Sequence, residues 1–122
     1  MDGGDGKVCQ HFQRAAEVLG RRWNPQVVRV LLGGPRRFGE IRSAIPGISD
    51  HLLSERLKQL EAEGILRRRV IDDRPVRIEY ALTQAGADLR SAIDALGSWA
   101  ERWSRAGGGA AQSRSTAGGR SR

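Results

Sequence analysis

The stretch PGISDHLLSERLKQLEAEGILRRR, Pro46 to Arg69, decides how this chain folds. Leu53, Leu57 and Leu60 recur at helical spacing and predict one buried face. The opposite face carries His51, Ser54, Glu55 and Lys58, and Arg67, Arg68 and Arg69 follow directly. Ser49 suits the N-cap and Gly64 the stop, so the helix is bracketed at both ends. Upstream, Phe38, Ile41 and Ile45 mark a shorter helix that Pro46 and Gly47 break. Two helices joined by about four residues containing Pro and Gly match a helix-turn-helix.

Beyond Gly64 the hydrophobic period changes from about 3.6 to about 2. Val76, Ile78, Tyr80 and Leu82 alternate with Arg77, Glu79 and Ala81. The segment from Ile65 to Ile71 is β-compatible too, and Asp72-Asp73-Arg74-Pro75 lies between the two runs. This predicts a β-hairpin. Two strands are marginal alone, so the hairpin has to pack on the helices. The expected fold class is therefore mainly α with a small β-hairpin, a winged helix-turn-helix.

Two helices precede this core. Phe12, Ala15, Ala16 and Leu19 predict the first, from about Cys9 to Leu19, with Gly20 ending it. Asn24-Pro25 reads as cap and first turn of the second, whose Val27, Val28, Val30, Leu31 and Leu32 make it central. Thr83 is expected to cap a last helix reaching Trp103. In it Leu89, Ile93, Leu96, Ala100 and Trp103 step by four and three, the spacing of a coiled-coil seam, which Ala92 and Trp99 widen. A core of this size does not need two late tryptophans, so the seam is expected to form a homodimer.

Length and composition bound the rest. The 122 residues amount to one domain, 39% hydrophobic and 29% charged. A net charge of +7 favours a polyanionic partner, nucleic acid first and anionic membrane second. No apolar leader opens the chain and VVRVLL is too short to cross a bilayer, so a cytoplasmic protein is expected. Residues 1–8 are expected to be flexible, 9–103 to form the domain, and 104–122 to be a disordered basic tail, SRAGGGAAQSRSTAGGRSR.

The polar face of the Leu53 helix is then explained by double-stranded DNA. The leucines anchor it, and the other side is free to enter a major groove. His51, Ser54 and Lys58 lie within about 60° of one line, at roughly 100° per residue. They are the candidates for base edges and nearby phosphates. Ser49 and the helix N-terminus suit a phosphate. Asp50 and Glu55 are open between accepting from cytosine and local roles, Asp50 at the helix terminus and Glu55 beside Arg56 or Lys58. Arg36 and Arg37 are candidate phosphate clamps, and Arg74 at the hairpin tip is placed for a minor groove.

The order of motifs resembles the HxlR-type family of bacterial winged-helix transcription regulators. The likeness rests on LGRRWNPQVVRVLLGGPRRFGEIRSAIPGIS, LSERLKQLEAEGILRR and RIEYALTQAGADL, with Cys9 ahead of them, and covers about residues 9–103. The resemblance implies a dimer formed by the N-terminal region, Phe12 included, and the last helix. It also implies a palindromic operator and control of a nearby gene, with repression the expected sense. Some members of that family use an N-terminal Cys to sense oxidants, quinones or aldehydes, and the stretch from Leu19 to Ile41 looks closest to them. Two positions depart: Asp50 and His51 stand where many relatives carry Gln or Lys, and Arg74 where many carry Pro.

Cys9 is accordingly the candidate redox-sensing residue. Lys7, His11 and Arg14 are near it in sequence, and a positive setting at a helix N-terminus favours the reactive thiolate. A small-molecule effector is the alternative signal. A single cysteine and two histidines leave no catalytic set, no cysteine-rich zinc site and no cofactor motif, so neither an enzyme nor a metal protein is expected. The remaining rival is a winged-helix protein-interaction module without DNA binding.

Overall fold

A computed structural model describes residues 6–104. Residues 1–5 of the expected flexible start and 105–122 of the expected basic tail lie outside the described residues. The chain divides into two units, residues 1–90 and 91–122.

The first unit holds α1 (Gln10–Leu19), α2 (Asn24–Leu31), α3 (Phe38–Ala44), α4 (Asp50–Ala62), the strands β1 (Leu66–Ile71) and β2 (Arg77–Leu82), and the single-turn α5 (Gln84–Ala87). Its centre is α2, where Val27, Val28 and Leu31 are buried. Ile41 and Ile45 of the α3 region, Leu53, Leu57 and Leu60 of α4, and Leu66 pack into the same core, with Val18, Ile48 and Ala81. Each such side chain contributes about 1.5–3 kcal/mol by leaving water. Between α3 and α4 the backbone turns at Gly47, where φ is +90°, a region that favours glycine. Ser49 caps α4 as its position predicts: its Oγ accepts from Leu52 N at 3.1 Å.

β1 and β2 pair antiparallel, in register from Leu66 opposite Leu82 to Ile71 opposite Arg77. A bridge between Arg36 and Tyr80 adds a rudimentary third strand, with Arg36 N donating to Tyr80 O at 3.0 Å and Tyr80 N to Arg36 O at 2.8 Å. The alternation in β2 does not divide buried from exposed as simple periodicity suggests. Ala81 is buried, while Val76 and Ile78 are exposed. Only the base of the hairpin meets the helices; the outer half projects as a wing, so its apolar residues find nothing to pack on.

Three other expectations are corrected. Asn24 is not the cap of α2. Trp23 holds that place, with φ +80°, which costs a non-glycine residue about 1–3 kcal/mol. Asn24 is fully buried instead, and its Nδ2 donates to Val18 O at 2.7 Å and Gln59 Oε1 at 3.2 Å. The last helix is also not continuous from Thr83. Thr83 caps only α5, accepting from Gly86 N at 3.2 Å, and its Oγ1 lies within bonding reach of the carbonyls of Gly64 and Ile65. Gln84 Nε2 donates to Asp88 Oδ1 at 2.8 Å, and the chain leaves α5 there. Finally, the apolar pattern that predicts α1 does not mark its buried face: Ala15 and Ala16 are exposed, as is Phe12, which the resemblance assigned to a dimer surface, and Val18 is the buried residue.

The second unit consists, among the described residues, of most of α6 (Arg90–Trp103). Ile93 is buried, whereas Leu96, Trp99, Ala100 and Trp103 are exposed.

Candidate nucleic-acid interface and thiol site

The leucine face of α4 is nine-tenths or more buried, which fixes what the rest of the helix presents. Asp50, His51, Glu55 and Lys58 are exposed and Ser54 is half-buried. These residues share one side of the helix, as their spacing requires. His51 Nε2 lies 3.7 Å from Glu55 Oε2, so the carboxylate has a local partner when the imidazole is charged. Asp50 Oδ1 accepts from Arg42 Nη1 at 3.0 Å, a bridge from α3 to α4 across the turn. It also stands in the first turn of α4, where a carboxylate suits the helix dipole.

The expected phosphate clamps differ from one another. The Arg36 guanidinium folds back on its own turn, donating to Pro35 O at 2.9 Å and Gly33 O at 3.4 Å. Arg37 is exposed at the start of α3, where its backbone N donates to Glu40 Oε1 at 2.8 Å. Arg74 is exposed at the wing tip. Behind it, Arg77 pairs with Asp73 at 2.9 Å and Arg69 with Glu79 at 3.2 Å. Arg67 and Arg68 are exposed on opposite faces of β1, so one phosphate backbone cannot meet both.

Cys9 is half-buried, and its sulfur is the N-cap of α1: Sγ accepts from Phe12 N at 3.4 Å. A group that modifies this thiol therefore also alters the cap of the helix. Arg14, counted in the sequence among the cations near Cys9, is engaged elsewhere. It pairs with Glu17 at 3.4 Å and, across the fold, with Glu63. The hydrogen bond that Arg14 donates to Glu63, together with the charge of that carboxylate, raises the Arg14 pKa above the ordinary value.

Sequence reasoning missed the residues that hold α4 from its flank. Arg56 Nε donates to Arg22 O at 2.9 Å, Gln59 meets Asn24, and Glu63 meets Arg14. Their spacing at 56, 59 and 63 was a usable signal of a shared side, but nothing local named the partners. A cleft of about 360 Å³ lies between α2 and the turn of the helix-turn-helix, lined by Trp23, Gln26, Val30, Ile45 and Pro46 among others. Among the described residues no group of His, Cys, Asp or Glu is arranged to hold a metal, and no helix is long and apolar enough to cross a membrane.

A buried-leucine helix with a free polar side, set after a tight turn and before a projecting hairpin, defines a winged helix-turn-helix protein. The chain belongs to the HxlR-like helix-turn-helix family, whose model matches residues 18–107. It is 44% identical over 97 residues to the helix-turn-helix-type transcriptional regulator YvaP of Bacillus subtilis, covering 80% of this chain and 90% of that one. The reduced form of the transcriptional regulator YodB from B. subtilis superposes with a TM-score of 0.72 at 39% identity, over 80% of this chain and 95% of the other. YodB has also been solved diamide-treated and quinone-bound. The redox regulator HypR in its reduced form gives a TM-score of 0.72 at 30% identity, over 77% and 93% of the two chains. The protein is thus a transcriptional regulator of the helix-turn-helix type and not an enzyme.

Proposed function

We propose that this regulator binds duplex DNA as a homodimer on an inverted-repeat operator, acting as a repressor that responds to oxidants or electrophiles through Cys9. The observation that carries the DNA reading is the contrast across α4: Leu53, Leu57 and Leu60 buried, with His51, Lys58 and the rim of Ser54 left to solvent. In the major groove Lys58 donates to guanine, His51 to a purine N7, and Ser54 to either base type. Ser49 and the N–H groups at the start of α4 take a phosphate, while Arg37, and Arg36 after its guanidinium swings out, neutralise others. Arg74 follows the adjacent minor groove. Asp50 holds Arg42 and Glu55 holds His51, which lessens the repulsion these carboxylates would offer to phosphates.

The dimer is read from exposed apolar residues that a lone chain gains nothing by presenting. Leu96, Trp99 and Trp103 of α6 and Phe12 of α1 are each more than half exposed. Ala100 lies among the first three in α6, and the half-buried Leu89 and buried Ile93 stand behind as support. An inverted repeat read in successive major grooves asks for two reading helices about 34–36 Å apart, one turn of DNA. The thiol reading draws on the cap geometry of Cys9 and on likeness to YodB, which has been solved quinone-bound and after diamide. Such a regulator works in the cytoplasm, on the nucleoid.

The experiment is to incubate the purified protein with sheared genomic DNA from its source, at rising salt, and sequence what is retained. An inverted repeat lost steeply as salt rises is expected, because each phosphate contact releases counterions. Retention of no sequence, with binding insensitive to salt, would favour a winged-helix interaction module instead.

A further inference from the structure

The leucine face of α4 sets how deeply the helix sits but is poor at fixing its rotation, because apolar contact is non-directional. Apart from the Arg42–Asp50 bond at its first turn, the directional side-chain bonds that reach α4 from the rest of the fold come from one flank. Arg56 reaches Arg22 O, Gln59 reaches Asn24 Nδ2, and Glu63 reaches Arg14. At roughly 100° per residue these three share a strip about 60° wide, roughly 140° around from the His51/Ser54/Lys58 side, and the strip runs about 10 Å along the axis. All three partners belong to α1, to the segment after it, or to the first residue of α2. Asn24 Nδ2 is shared with Val18 O of α1, so the strip ends on α1 at two places, Arg14 and Val18.

We infer that Arg14, Asn24, Arg56, Gln59 and Glu63 are positioning residues for DNA recognition: they lock the roll of α4 to α1, and through it the aim of the base-reading side chains. This rests on the reading of α4 as the DNA-reading helix. A roll of about 15° moves a side-chain tip ~6 Å from the axis by about 1.5 Å. Such a shift is enough to lose a hydrogen bond to a base edge while leaving phosphate contacts largely in place. The lock thus acts on discrimination between DNA sequences rather than on overall attraction. It also joins α4 to the helix whose first turn Cys9 caps.

A charge exchange tests this. Arg14→Glu, Glu63→Arg and the double exchange are compared with Asp94→Arg, which makes the same charge change as Glu63→Arg at an exposed position of α6, outside α4. The first measurement is the ratio of operator affinity to random-duplex affinity, which uniform charge effects leave alone. Each of the two single exchanges is expected to lower that ratio about tenfold and the double exchange to restore it to within about twofold, with Asp94→Arg near wild type. The second is hydrogen exchange without DNA: Glu63→Arg should speed exchange in α1 as well as in the last turn of α4, and the double exchange should slow both again. If a single exchange unfolds the protein, Glu63→Gln, which keeps an acceptor and loses the charge, takes its place. An unchanged affinity ratio, or faster exchange confined to α4, overturns the lock. If wild-type protein shows no preference among DNA sequences, the DNA reading falls, and hydrogen exchange alone decides whether α1 and α4 are coupled.

Discussion

Arg42 of α3 and Asp50 of α4 are joined at 3.0 Å across the turn of the helix-turn-helix. The bond gives Asp50 a local employment in the first turn of α4 and occupies an arginine that otherwise faces the same side. Asp50→Ala is expected to cost less than about 1 kcal/mol of stability, since both groups are half exposed or more. It should strengthen binding to random DNA and steepen the salt dependence by about one phosphate equivalent, because Arg42 is released and a carboxylate removed. Fluorescence anisotropy against salt concentration measures this; an unchanged slope would place Arg42 away from the duplex.

Lys58 is exposed in the middle of the free side of α4. Lys58→Ala should weaken operator binding by about 1–3 kcal/mol and relax selectivity at one base pair per half-site. A uniform loss across all sequences would make it a phosphate contact instead.

Cys9→Ser keeps an acceptor for Phe12 N and a strong capping residue, so folding and DNA binding should persist. Diamide should then release wild-type protein from its operator and leave the variant bound. Equal release of both would remove Cys9 from any switch.

Leu96→Arg places a charge among the exposed apolar residues of α6. Sedimentation is expected to show monomers at micromolar concentration where wild type is dimeric, with operator affinity falling at least tenfold because half-sites are then bound singly.

Gly86 is buried, and a Cβ there would stand 2.2 Å from Ile65 O, a backbone atom that cannot swing aside. Gly86→Ala should therefore destabilise by about 1–3 kcal/mol in urea titration while leaving DNA contacts chemically intact.

The exposed tryptophans show where local pattern stops being informative. Leu96, Trp99 and Trp103 sit at helical spacing, which announces an apolar side without naming what it meets. Val76 and Ile78 keep the alternation of a half-buried strand, yet both are exposed because the wing runs past the helices. Gly64 and Ser49, by contrast, act at their own position on the chain, and both did what their residue types imply.

From its residues alone this protein had its element order, its helix-turn-helix, its hairpin and the free side of α4. Those follow from periodicity, caps and turns, whose physics spans only a few neighbouring residues. Tertiary structure decided the burial of Asn24, the break after α5, the exposure of the Phe12 side of α1, and the engagement of Arg14 with Glu63, 49 positions away. Such pairings form only when the core brings distant segments together. A charged side chain has many potential partners of opposite sign along a chain, and packing alone selects among them.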